Sequence, residues 1–182
     1  MGKRATLFIG RTVRLELVEN EKRKREVAIV SDSVAALVFN KTKEEVLFVT
    51  QDREPMIDDN HPAGTITEVP AGRFDRDVST QGLIKAELEE ELGVKVDEKD
   101  IVLLNSEIPL ATSPGILTER QYFGYVEIEN HQINPAKRTY GLKKDGEETT
   151  RRFVPVSELP DMVFDDMKTW ALVQWFLRKQ GL

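Results

Sequence analysis

The chain has 182 residues, enough for one ordinary domain and short for two. Lys and Arg number 26 against 32 Asp and Glu, a formal charge of −6, with 40% hydrophobic and 32% charged residues; this is the mix of a soluble globular chain and argues against a general nucleic-acid binder, which shows a basic footprint. The absence of Cys excludes disulfides and thiolate metal sites, and two His residues, His61 and His131, are too few for a His-rich zinc centre.

The N-terminus, Met1-Gly2-Lys3-Arg4, leads into a short apolar patch, Leu7-Phe8-Ile9. A secretory signal needs a longer apolar region and a cleavage site. No later run approaches the roughly 18 apolar residues of a bilayer span, so the expected location is cytoplasmic. Val13, Leu15 and Leu17 alternate with polar residues, as on a half-exposed strand. Lys22-Arg23-Lys24-Arg25 reads as a hairpin turn and Val27 to Val30 as its second strand. Val34 to Phe39 and Val46 to Val49 are continuous apolar runs, the signature of buried strands, with a polar turn at Asn40 to Glu44 between them. Residues 52–66 read as loop, with Pro55, Asp58-Asp59-Asn60, Pro62 and Gly64.

A helix is expected from Ser79 or Thr80 to Leu92, capped by Ser79 or Asp77 and stopped by Gly93. Ile101 to Leu104 and Gln121 to Ile128 read as strands, residues 130–150 as a long polar loop, and Arg152 to Val156 as a short strand. A last helix spans about Asp165 to Lys179, with Trp170, Val173 and Leu177 on one face. Trp170 and Trp175 read as core residues. The order of elements indicates a mixed α/β or α+β sheet flanked by helices, in a single domain covering 1–182.

The most informative segment is Leu83-Ile84-Lys85-Ala86-Glu87-Leu88-Glu89-Glu90-Glu91-Leu92-Gly93. With Ile84 at zero on a helical wheel, Leu88 and Leu92 fall at about 40° and 80°, an apolar stripe. Glu87, Glu90 and Glu91 fall at about 300°, 240° and 340°. Glu89 points elsewhere, at about 140°, near Lys85. Three carboxylates thus share one arc beside the buried stripe. Like charges one turn apart repel even on a solvated helix, by roughly 0.2–0.5 kcal/mol per pair. Such a face favours a cation, and all-oxygen ligands suit Mg²⁺, Mn²⁺ or Ca²⁺ rather than zinc. A plain solvated acidic face is the alternative.

Read with its flank, Glu68-Val69-Pro70-Ala71-Gly72, this segment resembles the Nudix box of the Nudix hydrolases. That box reads Gly, five residues, Glu, seven residues, Arg-Glu, apolar, any, Glu-Glu, any, Gly, apolar. Gly72, Glu87, Leu88, Glu90, Glu91, Gly93 and Val94 fall in register. Two positions depart from it: the first Glu is replaced by Val78, and the Arg by Ala86. In the family that Arg helps orient the catalytic glutamates, and the joint loss of Glu and Arg reads as the loss of one ion pair. Lys85 is a poor substitute, since it points about 160° from the centre of the carboxylate arc.

The resemblance spans roughly residues 11–180. Pro70-Ala71-Gly72 is similar to the ADP-ribose and nucleoside-diphosphate-sugar pyrophosphatases of the family. It implies an α/β/α sandwich with an N-terminal strand arm, about residues 1–31, exchanged in a homodimer. It implies Mg²⁺ (or Mn²⁺) held by Glu87, Glu91 and the Ala71 carbonyl, with Glu90 serving a second ion or the chemistry. A catalytic loop glutamate would be Glu147 or Glu148, with Glu147 preferred for its spacing to the strand at Arg152. Arg53, in Gln51-Asp52-Arg53, would meet substrate phosphate. Ser113-Pro114-Gly115, Glu119 and Arg25 would line the substrate. The implied reaction is hydrolysis of a nucleoside diphosphate sugar, with ADP-ribose the first candidate. The expected partners are a small nucleotide and a second copy of the chain, with no nucleic acid and no membrane. The rival reading is a catalytically weak Nudix domain that binds nucleotide as a sensor or interaction module.

Overall fold

The computed structural model describes residues 3–59, 62–135, 139–140 and 149–182. Three strands form the N-terminal arm: β1 (Lys3–Ile9), β2 (Arg14–Glu19) and β3 (Lys24–Ile29). They pair antiparallel in chain order. Leu7-Phe8-Ile9 therefore belongs to a strand that the alternation pattern did not reveal, with Phe8 opposite Leu15. The hairpin turn sits earlier than expected. The Asn20 carboxamide accepts from the Lys22 and Arg23 amides, so Lys24 and Arg25 already lie in β3. Glu16 is buried between Arg4 and Arg14, at 3.0 and 2.8 Å, which locks the arm internally.

Among the described residues the main sheet has nine strands: β4 (Ser33–Asn40), β5 (Glu45–Asp52), β6 (Thr65–Glu68), β7 (Ala71–Arg73), β8 (Val102–Leu103), β9 (Leu110–Ala111), β10 (Arg120–Ile128), β11 (Thr139–Tyr140) and β12 (Thr149–Pro155). Its spine runs β11-β12-β5-β4-β10-β8. β4 and β10 are parallel; the other named strand pairs in the sheet are antiparallel. Helices α1 (Thr80–Leu92) and α2 (Met167–Gln180) cover its two faces. Along β4, Val34, Ala36 and Val38 point to the α1 side, while Ala35 and Leu37 point to the α2 side. Along β5, Leu47 and Val49 face α1 and Val46 and Phe48 face α2. Both faces are dry, which is why these strands read as continuous apolar runs. The expected α/β sandwich with a strand arm is the observed architecture.

The expectation of loop over residues 52–66 fails at its end, because Thr65 and Ile66 pair with Asp52 and Gln51. Short polar-flanked strands of three or four residues carry too little period-2 signal to register. β12 likewise begins at Thr149, three residues before the expected start. In α2 the buried residues are Thr169, Leu172, Val173, Phe176 and Leu177. Trp170 is 54% exposed, so its assignment to the core is corrected: it sits on the flank of the apolar stripe. Trp175 packs edge-on against Tyr125, with ring centroids 5.1 Å apart.

Candidate active site

Helix α1 starts and stops where the sequence indicates. The Ser79 hydroxyl accepts from the Gly82 amide at 2.9 Å and donates to Glu98 at 2.8 Å. Gly93 takes the left-handed conformation at φ 64°, ψ 32°, which only glycine adopts without strain. The helix lies close on the sheet because Gly124 of β10 has no side chain. A Cβ there would stand 2.7 Å from Ile84 Cδ1. Leu83, Ile84, Leu88 and Leu92 are buried against the β4–β5 face, and this rotation of the helix aims Glu87 and Glu91 at β7.

Glu91 is the deepest of the four helix carboxylates, only 6% exposed. It accepts a hydrogen bond from the Ala71 amide at 3.1 Å. Gly72 leaves room for Glu87, since a Cβ at that position would sit 2.0 Å from Glu87 Oε1. The Pro-Ala-Gly turn and the helix are therefore fitted to each other through two carboxylates. Burial lifts the Glu91 carboxyl from 4.5 to about 8. The Glu87 charge adds to the rise and the Ala71 amide opposes it. Glu68 then raises it and Arg53 lowers it by smaller amounts. A buried carboxylate beside another is a costly arrangement that a cation would relieve.

The donor set consists of carboxylate and backbone oxygens, which fits a hard divalent ion. Among the described residues, no three Asp, Glu or His side chains converge on one ion position. An ion here would rest on Glu87, Glu91 and backbone carbonyl oxygen. Glu90 is turned to Arg76, 3.6 Å away. Glu89 pairs with Lys95 at 3.5 Å on the far side of the helix, as the wheel requires.

Arg53 follows β5 and donates from Nε to Glu68 Oε1 at 2.8 Å. Glu68 is 1% exposed and also accepts from Gln51 at 2.8 Å and from Lys168. Glu119 accepts from Ser33 at 2.7 Å and from Thr112 at 3.1 Å. It lies just ahead of β10, beside the β4 residue that pairs with Arg73 of β7. Ser113 and Gly115 sit in a turn closed by Leu117 N–H to Ser113 carbonyl at 2.8 Å. That turn is stitched to the arm by Ala28 N–H to Ile116 carbonyl and Thr118 N–H to Ala28 carbonyl, at 2.8 and 3.1 Å. Nothing lies within 4 Å of a Cβ built on Gly115, so packing does not demand glycine there. Arg25 is exposed on β3 and makes no contact that joins it to these groups among the described residues. Glu147 and Glu148 lie outside the described residues.

The structure thus brings together Ala71, Gly72, Glu87 and Glu91, with Arg53 and Glu68 in electrostatic reach. Three contributors were missed from the sequence: Glu68, Lys168 and Arg76. Glu68 belongs to a stretch that carries the resemblance, yet nothing in its local pattern, or in that of Lys168, marks burial or pairing. Arg76 stands ten residues from the vacant Ala86 position, and only the path of the 74–79 loop returns it to Glu90.

The family profile described as NUDIX domain matches residues 31–176. The chain is 30% identical to a GDP-mannose pyrophosphatase of Klebsiella pneumoniae, over 96% of this chain and 87% of that protein. It is 27% identical to a GDP-mannose pyrophosphatase of Cronobacter sakazakii, over 92% and 86%. It is also 29% identical to a methanol dehydrogenase activator of Bacillus methanolicus, over 64% of this chain and 60% of that one. Among the described residues no helix is long and apolar enough to cross a membrane. With the profile spanning most of the chain, and Glu87 and Glu91 of the box gathered on the Pro-Ala-Gly segment, the chain belongs to the Nudix family of hydrolases, enzymes that act on pyrophosphate bonds.

Proposed function

We propose that this protein hydrolyses the pyrophosphate bond of a nucleoside diphosphate sugar, giving a nucleoside monophosphate and a sugar phosphate. The observation that carries this reading is the buried Glu91, held by the Ala71 amide beside Glu87 over Gly72. The two GDP-mannose pyrophosphatases align over 96% and 92% of the chain. They support a nucleotide sugar and make GDP-mannose the first substrate to test, ahead of ADP-ribose.

Glu87, Glu91 and the Ala71 carbonyl would hold Mg²⁺ or Mn²⁺, with Glu90 toward a second ion. Bound there, a divalent ion neutralises the bridging phosphates and lowers the pKa of water. The rest is the work of the chain. Glu68 fixes the Arg53 guanidinium by its Nε, and an Arg fork matches phosphate oxygens. Ser113, Gly115 and Glu119, tied to β3 and β4, form the wall facing the sugar or base. Arg25, exposed on β3, would line the substrate in an arm-exchanged homodimer. Leu7, Phe8 and Ile9 on β1 are 49%, 57% and 73% exposed, which supports the arm as the homodimer element of a single Nudix domain. Glu147 remains the preferred general base on sequence grounds, with Glu148 beside it. The net charge of −6 goes with a small, rather than polyanionic, substrate, and a cytoplasmic location goes with this reading.

The rival reading is a nucleotide-binding or partner-activating module. Val78 and Ala86 favour it, as does the similarity to a methanol dehydrogenase activator. A panel of nucleoside diphosphate sugars with Mg²⁺ or Mn²⁺ decides between them. The expected result is turnover of one or a few members, lost in Glu91→Gln. No turnover at high enzyme concentration supports the module, and turnover unaffected by Glu91→Gln overturns the metal assignment.

A further inference from the structure

The chain between β6 and β7 crosses from a pairing with β5 to a pairing with β4 in only two residues, Val69 and Pro70. Its Val69 amide and Pro70 carbonyl are satisfied from outside the segment. The Val69 amide donates to Thr169 Oγ1 at 2.9 Å. The same hydroxyl donates to Asp166, the N-cap of α2, and both Val69 and Thr169 are wholly buried. Pro70 has no amide to satisfy, and its carbonyl accepts from Ala36 at 3.1 Å. The Glu68 carboxylate accepts from Gln51, Arg53 and Lys168, and Lys168 is held in turn by Asp166 at 2.9 Å. The next donor along the chain is the Ala71 amide, which meets Glu91.

The start of α2 therefore grips the segment that ends on the buried carboxylate, across 100 residues of sequence. Packing of α2 itself rests on Leu172, Val173, Phe176 and Leu177. Neither the Thr169 hydroxyl nor the Lys168 ammonium belongs to that apolar cluster.

We propose that Thr169 and Lys168 are positioning residues for the divalent-ion pocket, acting through Glu68–Ala71 on the Ala71 backbone and Glu91. This rests on the reading that Ala71 and Glu91 hold the ion. Removing the Thr169 hydroxyl leaves the Val69 amide buried without an acceptor, and the segment must shift to satisfy it.

The test is a Mn²⁺ titration of the full chain without substrate, with free ion read by electron paramagnetic resonance. Thr169→Val should raise the Mn²⁺ Kd about tenfold, whereas Thr169→Ser, which keeps the hydroxyl, should stay within about twofold of wild type. Lys168→Met gives an independent reading whether or not Thr169→Val folds. Charge alone predicts tighter Mn²⁺ binding, because a cation is lost and Glu68 is left less neutralised. The clamp predicts the opposite, a several-fold weaker Kd. A folded Thr169→Val that binds Mn²⁺ like wild type overturns the inference, as does Lys168→Met binding equally or more tightly. A wild-type protein that binds no Mn²⁺ overturns the ion reading itself and the inference with it. A fall in Tm without a change in Kd marks a merely structural role and also overturns it.

Discussion

Replacing Glu91 by Gln should stabilise the metal-free protein at pH 8 and leave it nearly unchanged at pH 5. Gln has the same shape, and its carbonyl can accept from the Ala71 amide as the carboxyl does. In the native chain burial, chiefly, raises the Glu91 carboxyl from 4.5 to about 8. Between those values the folded state keeps a proton that the unfolded chain has released. Stability therefore falls as pH rises through that window and levels off above it. At 1.36 kcal/mol per pH unit the total is on the order of 5 kcal/mol. For a domain of this size each kcal/mol moves Tm by about 2–4 °C, so the difference amounts to about 10 °C or more. Thermal melts in EDTA at pH 5, 6, 7 and 8 measure it for both proteins. Other groups titrate in both, so the quantity that matters is the gap between the two curves. The gap should open with pH, with the Gln variant on top. Adding Mn²⁺ at pH 8 should raise the wild-type Tm and leave the variant where it is. Parallel curves from pH 5 to pH 8 would show that Glu91 is not a strained carboxylate, and the reasoning from burial would be refuted.

Gly72→Ala places a methyl group on Glu87 Oε1, 2.0 Å away. The obstructed group is the end of a flexible side chain, so stability should change by less than about 2 kcal/mol while kcat/KM falls about 100-fold; equal losses of Tm and little loss of rate would contradict this. Arg76→Ala removes a half-exposed partner of Glu90, which should shift stability by no more than about 0.5 kcal/mol yet lower kcat several-fold. An Arg at position 86 stands one helical turn before Glu90, so Ala86→Arg should restore the rate of the Arg76→Ala protein. Strict additivity in that kinetic cycle would show that the two positions do not share Glu90.

What was readable in the sequence follows from the range of the forces involved. Helix α1, its Ser79 cap, its Gly93 stop and the angular separation of Glu89 from the other glutamates depend on local geometry, and all stand where local geometry puts them. The apolar runs of β4 and β5 reported burial on both faces correctly. The failures are long-range. Whether Trp170 lies under the sheet or beside it depends on how α2 is rotated, and a wheel with three apolar positions leaves that rotation loose. The strands β1, β6 and β7 exist because neighbours offer free edges, which no local pattern announces. Glu68 looks like any strand-end acid until Gln51, Arg53 and Lys168 are seen to surround it. The wheel placed Glu91 beside the apolar stripe, but its depth is fixed by the Pro-Ala-Gly turn folding over it.

The loss of the box Arg does not leave the glutamates without a cation. Arg76 reaches Glu90 from the preceding loop, and Arg53 acts on Glu91 from the end of β5. Both arrive from outside the helix, so a substitution that erases the motif letter need not erase the electrostatic function. The same arrangement separates the two carboxylates that matter. Glu90, half-exposed and paired with Arg76, is inexpensive to keep in any protein. Glu91 is buried beside Glu87 and bonded, among the described residues, to the Ala71 amide, so it should destabilise the metal-free fold at neutral pH. On the proposed reading, a bound cation would offset this unfavourable group. A module that merely bound nucleotide through arginines and backbone amides would be more stable with Gln at position 91. The acidic balance of the whole chain is therefore compatible with an anionic substrate. On the proposed reading, a divalent ion held by Glu87 and Glu91 would reverse the local sign, and Arg53 would add to the positive surface offered to the phosphates.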